Sequence, residues 1–183
     1  KRFFDGKIQD VNVYDTLLSS ADITTLYQGG APTVLARELI SDGLIYNNSL
    51  TYNRQTVMHF NGEIHNYLDL GTPLLPESAD FTTSIWFNAL EPNDDYTYGD
   101  NIMTQYGGTG FDGRFRIEYN QYNQIETSTG GTTGTLLLIT SNITTLPGSW
   151  HMLTLSRDYS EGDAFLYIDG VLVGIDTDFT GVI

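Results

Sequence analysis

Carboxylates are the side chains with the most chemical capacity in this chain, 23 Asp and Glu against 8 Lys and Arg. Their densest stretch runs from Glu91 through Asn93, Asp94 and Asp95 to Gly99, Asp100 and Asn101. Calcium takes about six to eight oxygen ligands from carboxylates, amides and carbonyls. Asp94, Asp95, Asp100 and Asn101 are therefore the candidate calcium set, and calcium is the one cofactor expected. The competing reading is an acidic loop solvated by water. A second group of residues suits sugars. Aromatic faces stack on pyranose rings while amides and carboxylates fix the hydroxyls. Tyr96, Tyr98, Tyr106 and Tyr122 are the candidate glycan contacts, with Tyr119 nearby and Asn120, Gln121, Asn123 and Gln124 beside them. Tyrosines on strands serve equally as cross-strand packing.

Catalysis has less support. Glycoside hydrolysis needs a pair of carboxyl groups, and Glu118, Glu126 and Glu161 stand apart from any partner at a matching spacing. His59, His65 and His151 lack metal-ligand spacing. There is no Gly-x-Ser-x-Gly elbow and no phosphate loop. Without cysteine the chain has neither a disulfide framework nor a thiolate metal site. The chain is read as a non-enzyme.

The elements that must position these residues are short. β-prone runs separated by Gly, Asn and Asp, without long helical periodicity, predict an all-β sandwich. The clearest hairpin is 164–168, then Asp169-Gly170, then 171–173. Asp-Gly supplies the positive backbone angles that a two-residue turn demands. Alternation sends Ala164, Leu166 and Ile168 to one face and Phe165 and Tyr167 to the other. His151 to Arg157 alternates likewise and is expected to pair with 164–168. One short helix is predicted over 20–28. Ser19 is its N-cap, with Asp22 in the capping-box position. Leu18 and Ile23 form a hydrophobic staple, and Gly29-Gly30 ends the helix. Residues 29–43 read as a connector with a helical turn around 34–39, and 128–134 as a loop or wide hairpin end. Trp86 and Trp150 sit in apolar strand patterns and are expected in the core. No internal repeat is visible.

At 183 residues the chain is long enough to bury a sizeable core. A formal net charge of −15 repels nucleic acid and anionic membranes, so neither is expected as a partner. No apolar run approaches the length of a membrane span, so no membrane insertion is expected. The first residue is Lys1 rather than Met, as expected of a processed chain or a fragment. The sequons Asn47-Asn48-Ser49 and Asn142-Ile143-Thr144 are close to chance in so Asn- and Thr-rich a chain.

Several blocks together carry a resemblance. Phe60-Asn61-Gly62 leads to Tyr67-Leu68-Asp69-Leu70-Gly71, then to Phe81-Thr82-Thr83-Ser84-Ile85-Trp86-Phe87. Trp150 to Asp158 and Leu166-Tyr167-Ile168-Asp169-Gly170 follow. With Phe4-Asp5-Gly6-Lys7-Ile8-Gln9-Asp10-Val11-Asn12-Val13-Tyr14, these blocks resemble the laminin-G-like branch of the concanavalin A-like lectin/glucanase superfamily. The resemblance implies a two-sheet antiparallel jelly-roll sandwich with one short helix near the N-terminus. It also implies that the Phe4–Tyr14 block, which closes such domains, here stands first. The Asp100-Asn101 pair resembles one in calcium-binding members. The family often has two acids at the Gln9-Asp10 position, where this chain has Gln9 first, and its loop after Phe60-Asn61-Gly62 usually carries Asp, where this chain has Glu63, His65 and Asn66. Animal relatives commonly carry a disulfide, so the lack of cysteine favours a microbial or viral source.

The expected organisation is a closing strand and helix over 1–30, a connector over 31–43, and a main jelly roll over 44–183 that lacks its last strands. Three placements fit segment 1–28: a cut between tandem repeats, a permuted strand in its own sandwich, or a strand donated to a neighbour. Phe4, Ile8, Val11, Val13 and Tyr14 are its candidate assembly residues, since their apolar surface must be buried somewhere. The expected function is a non-catalytic structural or adhesion module, outside the cell, on the cell surface or on a virion. It would assemble with neighbouring copies into a fibre or tandem array. The alternative is a calcium-assisted module binding cell-surface or matrix glycans, and the remote one is a glycoside hydrolase.

Overall fold

The computed structural model describes residues 4–27, 44–48, 58–62, 73–76, 79–90, 100–106, 114–131, 134–141 and 144–177. The connector, Asp94, Asp95, Tyr96 and Tyr98 lie outside the described residues, as does most of the second sequon.

Two antiparallel sheets form the expected sandwich. The first contains β1 (Asp5–Tyr14), β2 (Leu44–Asn48), β3 (Met58–Asn61), β4 (Phe81–Ala89), β9 (His151–Asp158), β10 (Asp163–Ile168) and β11 (Val171–Asp176). Its order is β11-β10-β9-β4-β1-β2, and β3 pairs the other half of β1 beside β2. The second sheet runs in order β5 (Asp100–Tyr106), β6 (Arg114–Tyr119), β7 (Ile125–Gly131) and β8 (Gly134–Thr140). Ser128 to Gly131, expected in a loop or wide hairpin end, are ladder residues of β7 leading into a hairpin. β-propensity in the Thr-rich run outweighed its glycines, and the hairpin closes between Gly131 and Gly134.

Period-2 alternation sets the main core. Phe81, Ile85 and Phe87 of β4 meet Phe115, Ile117, Ile125 and Ile139 of the facing sheet. Leu153, Leu155, Ala164, Leu166 and Ile168 complete it. The strands close up at one side of the sandwich, where a Cβ at Gly174 of β11 would overlap the Ile139 side chain.

β1 lies between β4 on one side and β2 and β3 on the other. Ile8 and Val11 are three apart, which pure alternation would send to opposite faces. A register shift between Gln9 and Asn12 reconciles them, with Asp10 at φ 49°. The bulge consumes one residue, so Ile8, Val11 and Val13 all reach the main core. Phe4 is buried in the same core.

The other face of the first sheet is covered by α1 (Ser20–Tyr27). Ser19 and Asp22 make the reciprocal capping pair: the Ser19 amide donates to Asp22 Oδ2 at 3.0 Å, and the Asp22 amide to Ser19 Oγ at 3.2 Å. The Leu18 amide donates to Thr82 Oγ1 at 3.0 Å, tying the helix entry to β4. Leu18, Ile23 and Leu26 then pack on Tyr14, Trp86, Met152 and Tyr167, while Tyr27 stacks on Trp86 at 5.8 Å. The Asp169-Gly170 turn has the expected positive angles, 53° and 77°. Gly170 also lets the turn approach α1, since a Cβ there would stand 3.3 Å from Tyr27 Cβ.

Candidate polar face on the four-stranded sheet

The outward positions of β5 to β8 fall into register as rows running across the strands. One row is Asn101, Glu118, Glu126 and Thr140, and the next contains Thr104, Arg116 and Ser128. Arg116 organises the floor. Its Nη1 lies 3.0 Å from Glu118 Oε1, and its Nε donates to Ser128 Oγ at 3.3 Å. Glu118 and Ser128 are buried, whereas Asn101, Arg116 and Glu126 are half-buried. Asn101 Oδ1 accepts from Thr104 Oγ1 at 3.3 Å.

Sequence reading separated Glu118 from Glu126; the structure sets them directly opposite each other. The signal was there in the β6–β7 hairpin. Pairing Tyr119 with Ile125 around the Asn120–Gln124 turn forces Glu118 onto Glu126 and Arg116 onto Ser128. Spacing along one strand does not reveal such a pair, which forms across two.

Asn120 builds the turn at the edge of this face. Its Oδ1 accepts from the Tyr122 and Gln124 amides at 2.9 and 3.0 Å, and its Nδ2 donates to Glu126 Oε1 at 2.9 Å. One buried amide thus fixes a carboxylate and presents Tyr122, 64% exposed, at the tip. Tyr119 points into the core instead, donating from its hydroxyl to Asn123 Oδ1 at 2.7 Å. Burial, with Asp100 nearby, pushes its phenol up. Tyr106 lies on β5 opposite Arg114.

Of the calcium candidates, Asp100 is buried and paired in register with Tyr119, while Asn101 is opposite Glu118. Adjacent strand residues face opposite sides, so the two do not converge on one ion. Among the described residues no group of three or more His, Cys, Asp or Glu could hold a metal. Among them, too, no helix is long and apolar enough to cross a membrane.

The expected assembly residues Phe4, Ile8, Val13 and Tyr14 are all buried within this same chain, and Val11 is half-buried against its main core.

A family model described as the concanavalin A-like lectin/glucanases superfamily, of laminin-G type, matches residues 61–183. No curated protein and no solved structure matches the chain.

Proposed function

The chain belongs to the concanavalin A-like lectin/glucanase superfamily, and on that premise we propose that it is a carbohydrate-recognising surface module using the outer face of its four-stranded sheet. The carrying observation is the cross-strand array of Asn101, Arg116, Glu118, Glu126 and Ser128, with exposed Tyr122 at its edge. Sugar hydroxyls need donors and acceptors fixed in advance, because each one desolvated without a partner costs about 1–3 kcal/mol. Here Arg116 fixes Glu118 and Asn120 fixes Glu126, so both acceptors are held before any ligand arrives.

The module is self-completed in this reading. Its β1 pairs in cis, which supports neighbours of a fibre or tandem array being joined end to end rather than by a donated strand. It works outside the cell, on a cell surface or on a virion, and calcium assistance would involve Asp94, Asp95, Asp100 or Asn101.

A second reading has one specific observation behind it. Side chains directly opposite in a sheet have Cβ atoms about 4.5–5.5 Å apart, and retaining glycosidases hold their carboxyl groups about 5–5.5 Å apart. Glu118 and Glu126 satisfy the first condition. In such a pair Arg116 beside Glu118 suits the nucleophile and leaves Glu126 for the acid.

A glycan array, run with calcium and with chelator, followed by calorimetry on the best ligand, tests the proposal. Glu126→Gln and Arg116→Ala should each weaken binding at least about tenfold, the effect of about 1.4 kcal/mol of lost hydrogen bonding. Undiminished affinity in both variants would move the site elsewhere. Release of reducing ends by the wild type, abolished in Glu118→Gln, would replace binding with hydrolysis.

A further inference from the structure

His151 opens β9 and bridges two separate segments. Its Nδ1 lies 2.7 Å from Asp169 Oδ2 in the β10–β11 turn, and its Nε2 accepts the Leu146 amide hydrogen at 3.2 Å. The carboxylate accepts only, and the amide donates only. Both bonds exist together only when the imidazole is neutral and carries its proton on Nδ1. The carboxylate itself is pinned, because its Oδ1 accepts the Met152 amide at 2.8 Å. Facing the ring from β4 is Phe87, which is uncharged, with centroids 6.0 Å apart. Asp169 is the charged group bonded to the imidazole, and the Tyr27 phenol of α1 is pushed up by burial and by that carboxylate.

We propose that His151 is a proton-operated clasp on the 144–149 connection, regulating the turn that carries Tyr122. A proton can enter only at Nε2. It converts the acceptor for Leu146 into a donor and sets two N–H groups against each other, while the Asp169 contact is kept and gains charge. Gly148 stays tied to β4, its amide donating to the Ala89 carbonyl at 2.7 Å and its carbonyl accepting from Asn88 Nδ2 at 2.9 Å. Only the Leu146 end loosens, and that end holds the β6–β7 turn. The Thr145 amide donates to the Asn123 carbonyl at 2.8 Å, and Thr145 Oγ1 donates to the same oxygen at 3.2 Å. Acid thus loosens Tyr122 from one end of the array. This regulatory role rests on the sugar-binding reading; the clasp itself does not.

Nuclear magnetic resonance on the whole chain tests it between pH 8 and pH 5, through the His151 ring-nitrogen shifts and hydrogen exchange at Leu146. Exchange is corrected for its intrinsic dependence on pH. In the wild type, the Nδ1–H tautomer and a protected Leu146 amide are expected at pH 8. On protonation, protection should fall about fivefold, the worth of one ordinary hydrogen bond. His151→Gln retains an acceptor but cannot titrate, so its protection should not change with pH. Asp169→Asn gives the sharper test. Asn-Gly suits the same turn, and the side-chain oxygen of the substituted residue can still accept from Met152. Its amide nitrogen would then donate to Nδ1, forcing the proton onto Nε2 and leaving Leu146 unprotected at both pH values. Equal pH dependence in wild type and His151→Gln, or an Nε2–H tautomer in the wild type at pH 8, overturns the clasp. A working clasp with unaltered sugar affinity across the range would overturn the regulatory role alone. No sugar affinity at any pH would instead remove the sugar-binding reading and leave the clasp standing.

Discussion

The outer faces of the two sheets are built on the same alternation and meet different fates. On the seven-stranded sheet, Tyr14, Trp86, Met152 and Tyr167 project outward, and α1 buries them. On the four-stranded sheet, the corresponding positions hold Asn101, Thr104, Arg116, Glu118, Glu126 and Ser128, which bond among themselves and to Asn120. An apolar outer row demands a cover, because leaving it in water forfeits about 25 cal/mol for each Å². A polar row satisfies itself through bonds within the face, with Tyr122 exposed at its edge. The covered face has its own polar seam, Asn12, Ser84 and Thr154, under the helix. Two atoms of that seam, Asn12 Oδ1 and Thr154 Oγ1, have no hydrogen-bond partner among the described residues, a cost that the apolar rows beside it offset.

If the covered face is structural, its aromatic centre should dominate stability. Trp86→Ala removes a buried indole and its stack on Tyr27. A loss of about 3–5 kcal/mol is expected in urea unfolding, and a loss below about 1 kcal/mol would mean that α1 is not docked there. The next effect appears in alkali. Burial pushes the Tyr14 phenol up to about 12. Its neutral form is favoured in the fold, so this contribution is complete below the unfolded value of 10.0 and is lost as pH rises towards 12. Tyr14→Phe should flatten that alkaline decline by about 2 kcal/mol, read from unfolding curves between pH 9 and 12. A smaller change tests the helix entry. Ser19→Ala removes the N-cap and should cost about 1 kcal/mol, with the four-stranded sheet undisturbed in amide exchange. The smallest effect belongs to the open face. Glu126→Gln relieves a like-charge cross-strand pair while Gln Oε1 can still accept from Asn120, so stability should rise by a few tenths of a kcal/mol, about 0.2–1 at most. A marked destabilisation there would show the polar face to be as structural as the covered one.

Much of the covered face was legible. The Ser19–Asp22 cap, the Leu18–Ile23 staple and the Asp169-Gly170 hairpin all depend on residues within a few positions of one another. Trp86 was expected in the core and lies there, though in the second core under α1. The open face was harder to read. Asn120 looked like one amide among several in a sugar-binding loop, and it is the residue that folds the turn and holds Glu126. Tyr119 looked like a loop aromatic and is core, because the hairpin register points it inward.

Local chemistry, then, determined the strand alternation, the caps, the tight turn and the sandwich class from sequence alone, since each is decided by steric and hydrogen-bonding preferences over a few residues. Only the tertiary structure decided that β1 enters between β4 and its β2 and β3 neighbours, that a bulge at Asp10 aligns Ile8 with Val11, and that His151 meets Asp169 and Leu146 at once. Those choices turn on which surfaces far apart in the chain are buried against each other, and no short window of residues contains both sides of that exchange.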